Sequence, residues 1–204
     1  MPLLQLGSRK LRVGIADPFL WCRTTAVLLA MLSLAACTAK EVSHPELTAT
    51  GGEPESFAGT LAAHNYWRDQ VGTPPLGWSA AAATQAQQWA DALAEEGCEI
   101  RHNPATSRRM RWGENIYGLW RGGAYEGYRR NIRDVTDSWA QEREWYHPQN
   151  HQCSAPEGET CGHYTQVVSA LSTHVGCGRA RCERAEVWVC NYAPPGNYRD
   201  VAPF

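Results

Sequence analysis

This sequence has no basic tract, no apolar stretch long enough to cross a bilayer and no CxxC pair. Each absence removes a class of function. A membrane-spanning helix needs about 20 apolar residues, whereas the run Ala26–Ala36 has eleven. Arginines are scattered rather than clustered, and the formal net charge of the 204 residues is -2, which argues against nucleic acid as a partner. Without CxxC pairs the cysteines do not read as a structural zinc site. No internal repeat is apparent.

Arg9, Lys10, Arg12 and Arg23 precede the apolar run, the pattern of a signal peptide over residues 1–36. The run ends in Leu34-Ala35-Ala36-Cys37, which resembles the bacterial lipobox. That resemblance implies cleavage before Cys37, lipidation of its thiol and anchoring to a membrane, each buried methylene contributing about 0.8 kcal/mol. Losing residues 1–36 removes four cations and one acid and leaves a charge of about -5. Residues 37–55, polar with Pro and Gly, read as the lipidated cysteine and a flexible tether. The folded domain is expected over 56–204, and the protein is expected to be exported, as a cell-envelope lipoprotein or in secreted form.

Six further cysteines, Cys98, Cys153, Cys161, Cys177, Cys182 and Cys190, form an even set. In an exported chain this reads as three disulfides, with spacing alone choosing none of the fifteen connectivities. Ser56 suits a helix N-cap, with Phe57, Leu61, His64 and Arg68 on one face, and Gly72 and Pro74-Pro75 end that helix. A second helix is expected from Ser79 to before Gly97, with Ala82, Ala86, Trp89 and Leu93 as a narrow packing face. A third is expected over 126–145, where Glu142 continues the stripe of Ile132, Val135 and Trp139. A short helix over Tyr164–Ala170 follows, then an antiparallel hairpin of His174–Cys182 and Ala185–Tyr192. Helices first and strands late indicate an α+β fold.

Glu142 is thus an acid on an apolar stripe, where a carboxylate needs a partner or takes up a proton. His102 and His163 lie beside turn-forming residues, and Glu114 sits in Gly113-Glu114-Asn115. Two imidazoles and two carboxylates are candidates to meet in a polar cleft. The carboxylates equally suit a buried ion pair or a cap on backbone amides, and these roles are compatible. His64 reads as packing or hydrogen-bonding within the first helix, His147 and His151 as solvated, and His44 as part of the tether.

Five ordered motifs then carry a specific resemblance. They are His64-Asn65 with Arg68, Gly113-Glu-Asn-Ile116, Trp139-Ala-Gln-Glu142, the block Cys161-Gly-His-Tyr-Thr-Gln-Val-Val168 and the block Cys190-Asn-Tyr-Ala-Pro-Pro-Gly-Asn197. Together they resemble the CAP superfamily of cysteine-rich secretory, antigen 5 and pathogenesis-related 1 proteins. The resemblance implies a three-layer α-β-α sandwich with an antiparallel central sheet, stabilised by the bridges Cys98–Cys182, Cys153–Cys161 and Cys177–Cys190. It also implies a cleft in which His102 and His163 ligate Zn²⁺ or a similar ion, with Glu114 and Glu142 nearby. Two histidines are an incomplete zinc site, so weak, pH-dependent binding is expected unless a glutamate joins as a ligand. Tyr164 and Gln166 flank the cleft helix as candidate ligand contacts. Where the family has Trp after GHYTQVV, this chain has Ser169, so a large apolar contact beside His163 is missing or is supplied by another of the nine tryptophans. The tail from Pro194 resembles the carboxyl end of the plant proteins and reads here as a strand exit.

No nucleophile is recognisable, so the leading expectation is a non-enzymatic binding module for a lipid-like or cell-surface ligand. One alternative is a metal-dependent hydrolase with Glu114 or Glu142 as general base. The other is a disulfide-stiffened interaction protein with an idle cleft.

Overall fold

The computed structural model describes residues 52–105, 112–120 and 127–204. The expected leader, Cys37, His44 and most of the tether lie outside the described residues.

The first helix, α1, spans Thr60–Asp69 rather than starting after Ser56. Gly59 at φ 90° interrupts the chain, so Phe57 belongs to a separate 3-10 turn, Glu55–Phe57. The cap comes from Glu53, whose two carboxylate oxygens accept the amides of Gly59 and Leu61 at 2.8 Å each. An anion at the first turn satisfies otherwise orphaned N–H groups and suits the helix dipole. Helix α2, Ala80–Glu95, starts as expected on Ser79, whose hydroxyl accepts the Ala82 amide. Helix α3 is shorter than expected, Ile132–Ala140. Its start is set by a capping box between Asn131 and Asp134, and residues 127–131 are not helical. Its end passes into a 3-10 turn, Gln141–Trp145, which carries Glu142. Helix α4 spans Gly162–Val167, two residues earlier than the expected start.

Among the described residues, six strands complete the fold. They are β1 Gly77–Trp78, β2 Gly113–Trp120, β3 Tyr146–His147, β4 Gln152–Cys153, β5 His174–Arg181 and β6 Ala185–Ala193. The main sheet has the order β1-β5-β6-β2, and β3 pairs with β4 separately. The expected hairpin is β5–β6, antiparallel with Cys177 opposite Cys190. The sheet departs from pure antiparallel only at β1, whose two residues run parallel to β5.

Layers cover both faces. On one, Ala86, Ala90 and Leu93 of α2 pack with Ile116, Ala180, Val187 and Val189. Small residues let α2 lie close: a Cβ on Gly176 would stand 2.2 Å from Ala83 N. On the other face Leu61, Val135, Trp139 and Val167 pack with Val175, Trp188 and Tyr192. The expected α-β-α sandwich is thus present. Its bridges are Cys98–Cys182, Cys153–Cys161 and Cys177–Cys190, the pairing the resemblance implied.

Buried polar groups tie the layers together. Arg68 of α1 donates through Nε to Pro74 O at 2.7 Å and through its terminal nitrogens to the carbonyls of Val167, Ser169 and Ser172 at 2.8–3.0 Å. A cation at the end of α4 fits the sign of the helix dipole there. Burial, the dominant cause, lowers the Arg68 pKa to about 10.

Candidate functional site

Edge strand β2 positions both halves of the site. Successive side chains of a strand point to opposite faces. Glu114 therefore shares the α2 face with Ile116, while Asn115 and Tyr117 turn to the other. Beyond α2 the chain returns along that edge, and His102 Nδ1–H donates to Glu114 Oε1 at 2.8 Å. The same oxygen accepts the Asn103 amide at 2.9 Å. Glu114 is almost wholly enclosed, with 4% of its side chain accessible, whereas His102 is 60% accessible. The bond to Glu114 raises the His102 pKa above its usual value, against a smaller opposing effect of burial.

The second pair forms on the opposite face. Glu142 Oε2 accepts the amides of His163 and Tyr164 at 2.9 and 3.1 Å, and Oε1 accepts His163 Nδ1–H at 2.5 Å. Glu142 thus caps α4 and orients the imidazole together. Trp139 fixes the ring from its other side, stacked at 6.3 Å between centroids with 17° between planes. Asn115 links this half to β2, because its Nδ2 donates to His163 O at 3.0 Å. Two consecutive residues, Glu114 and Asn115, therefore hold one histidine each.

In both pairs the carboxylate takes Nδ1–H, which leaves Nε2 as the lone-pair nitrogen of a neutral ring, the arrangement that suits a metal ligand or a hydrogen-bond acceptor. Next to His163 lies a groove of about 300 Å³. Its apolar wall is Trp139 and Trp145 beside the backbone of β2, and Ser138, Gln141 and Glu142 supply its polar side. As a metal centre the donor set is incomplete: among the described residues no three His, Cys, Asp or Glu side chains converge as ligands.

Two expected ligand contacts move out of the cleft. Gln166 is 2% exposed and both ends of its amide are engaged. Nε2 donates to Ser172 Oγ and Oε1 accepts the Gly196 amide, each at 2.9 Å. Tyr164 is buried, with its ring against Tyr146 and Phe204. On so short a helix both side chains turn to the core. Ser169 does not disturb His163, because Trp139 supplies the aromatic contact. Ser169 instead packs under the tail, where a Cβ on Gly196 would come within 2.7 Å of its own Cβ.

His64 holds neither metal nor groove. Its Nδ1–H donates to Thr60 O at 2.8 Å, so Nε2 accepts from the Tyr192 hydroxyl at 2.9 Å. Tyr192 in turn accepts from Asn115 at 3.3 Å. His147 meets Ser154 Oγ and His151 meets the Tyr146 hydroxyl, both at exposed or half-buried positions. The role of Asn115 was not foreseen from the sequence, nor which tryptophan would pack His163. The alternation Asn115, Tyr117, Leu119 was the available signal for β2, obscured by Glu114 on the opposite, apolar face.

Such a disulfide-bonded sandwich, with paired carboxylates and imidazoles at one sheet edge, defines a class of extracytoplasmic domain. The profile of the cysteine-rich secretory protein family, CAP, matches residues 61–192, and the chain belongs to that family. It is 38% identical over 144 residues to the pathogenesis-related protein PR-1 type of Sambucus nigra, covering 70% of this chain and 78% of that one. In three dimensions it is similar to venom allergen-like protein 4 of Schistosoma mansoni, with TM-score 0.55 and 23% identity over 74% of this chain and 95% of that one. It is similar also to NaASP2, solved with Zn²⁺, with TM-score 0.55 and 18% identity over 77% and 89% of the two chains. Three disulfides in one domain agree with an oxidising compartment.

Proposed function

We propose that this chain is an exported binding module, held at the cell envelope through Cys37, whose groove takes a lipid-like ligand. The single observation behind this reading is that both carboxylates are already used for positioning. Glu142 spends its two oxygens on His163 and the first amides of α4, and Glu114 Oε1 is shared by His102 and Asn103. Both oxygens of Glu142 are engaged and the second oxygen of Glu114 is shut away from the groove by burial, which weighs against the hydrolase reading. What remains available is imidazole Nε2 beside an aromatic wall. The apolar part of a ligand fits Trp139 and Trp145, and its polar head meets His163. At about 300 Å³ the groove is at the small end of ligand pockets, which favours a slim chain such as a fatty acid.

His102 and His163, one on each side of edge strand β2, would share a divalent ion at that edge, weakly and with water completing its shell. A bound ion would supply a positive charge for an acidic head group. The Zn²⁺ in the NaASP2 structure supports this capability by analogy of fold.

Lipids extracted from protein purified out of its own cells, and from a Trp139→Ala variant, test the reading. Enrichment of one lipid class in the native protein and its loss in the variant are expected. No enrichment across classes would overturn the lipid ligand. Calorimetric titration with Zn²⁺ tests the metal: binding should vanish in the His102→Ala/His163→Ala double variant, and unchanged binding would show that the pair is idle.

A further inference from the structure

Asn191 of β6 is fully buried, and neither its Nδ2 nor its Oδ1 has a hydrogen-bond partner among the described residues. Glu114 Oε2 is in the same condition. These two side chains are neighbours, because Glu114 on β2 stands directly opposite Asn191 on β6. Opposed residues of an antiparallel pair project to one face, with Cβ atoms about 4.5–5.5 Å apart. That face is the one covered by α2, where Ile116 and Val189 also lie.

On its other side Asn191 stands opposite Gly176, which brings no side chain. The space a Cβ would take there is filled by the α2 backbone, 2.2 Å from Ala83 N. Glu114 is therefore the cross-strand side chain that Asn191 can engage. Buried amides and carboxylates are costly without partners, and native proteins pair them directly or through internal water.

We propose that Asn191 is the positioning residue of Glu114, its Nδ2 donating through one internal water to Glu114 Oε2. The water accepts from Nδ2 and donates to Oε2. That bond stops the carboxylate from rotating, and so keeps Oε1 aimed at His102 Nδ1–H and the Asn103 amide. His102 has little else to hold it, since most of its ring is accessible. The His163 half is built differently: both oxygens of Glu142 are anchored and Trp139 stacks on the ring. Asn191 therefore serves one half of the site and not the other. This inference deepens the reading of the groove given above, and its test needs neither metal nor lipid.

Imidazole nitrogen NMR of the metal-free protein, at a fixed pH where both rings are neutral, reads the tautomers directly. In the wild-type protein His102 is expected mainly as the Nδ1–H form. In Asn191→Leu, close in size but apolar, the Nε2–H fraction of His102 should rise severalfold, while His163 stays Nδ1–H and reports an intact fold. An unchanged His102 tautomer in the folded variant would overturn the proposal. A high-resolution crystal structure of the wild-type protein gives a check that no folding defect can spoil. An ordered water within hydrogen-bond distance of both Glu114 Oε2 and Asn191 Nδ2 is expected, and its absence would also overturn the proposal. Failure of the wild-type protein to bind Zn²⁺ or lipid would sink the functional reading and leave both of these results standing.

Discussion

Protonation of one buried imidazole should set the acid limit of this fold. His64 is fully buried, and its two bonds, to Thr60 O and from the Tyr192 hydroxyl, satisfy the neutral ring. Burial is the main cause that lowers its pKa from 6.5 to about 4; the bond to Thr60 opposes this and the Arg68 charge adds to it. The unfolded chain therefore binds this proton more tightly than the folded one. The contribution to stability is complete above pH 6.5 and is lost progressively as pH falls toward 4. A shift of that size, at 1.36 kcal/mol per unit, amounts to about 3 kcal/mol, a large share of the ~5–15 kcal/mol that holds a domain together. Urea denaturation at several pH values between 7.5 and 4, for the wild-type protein and His64→Gln, measures it. Every other titrating group is common to both proteins, so their difference isolates His64. The variant should start lower at pH 7.5 and then lose about 3 kcal/mol less on acidification. Parallel pH profiles would refute the reasoning.

Other perturbations have equally definite outcomes. Arg68→Met strands three buried carbonyls and one half-buried one and should cost at least about 3 kcal/mol by chemical denaturation; Arg68→Lys should recover only part, because an ammonium has three donors and no planar fork. Glu142→Ala uncaps α4 and should cost about 2 kcal/mol while releasing the His163 tautomer in NMR, with Glu142→Gln intermediate. Replacing Cys98 and Cys182 by Ala opens a loop of 84 residues and should cost about 4–5 kcal/mol in the chain-entropy account. Loss of Cys153–Cys161, with a separation of 8, should cost about 2–3 kcal/mol, so the order of the two melting temperatures checks the argument.

What the sequence determined by itself was local or pairwise. The Ser79 cap, the end of α2 before Gly97 and the β5–β6 hairpin were legible, because caps and alternation leave marks within a few residues; His102, Glu114, Glu142 and His163 were named together, but which carboxylate takes which imidazole came only from the structure. The start of α1 was misplaced because its cap is Glu53, outside the usual N-cap position, and the start of α3 because Asn131 outcompetes the helical pattern before it. Tertiary structure alone decided that Gln166 and Tyr164 face the core, that Trp139 rather than residue 169 packs His163, and that Asn191 comes to lie opposite Glu114. Those outcomes depend on strand register and on which face of a short helix finds room. Register and facing are properties of contacts between residues tens of positions apart, so no local pattern in the chain encodes them.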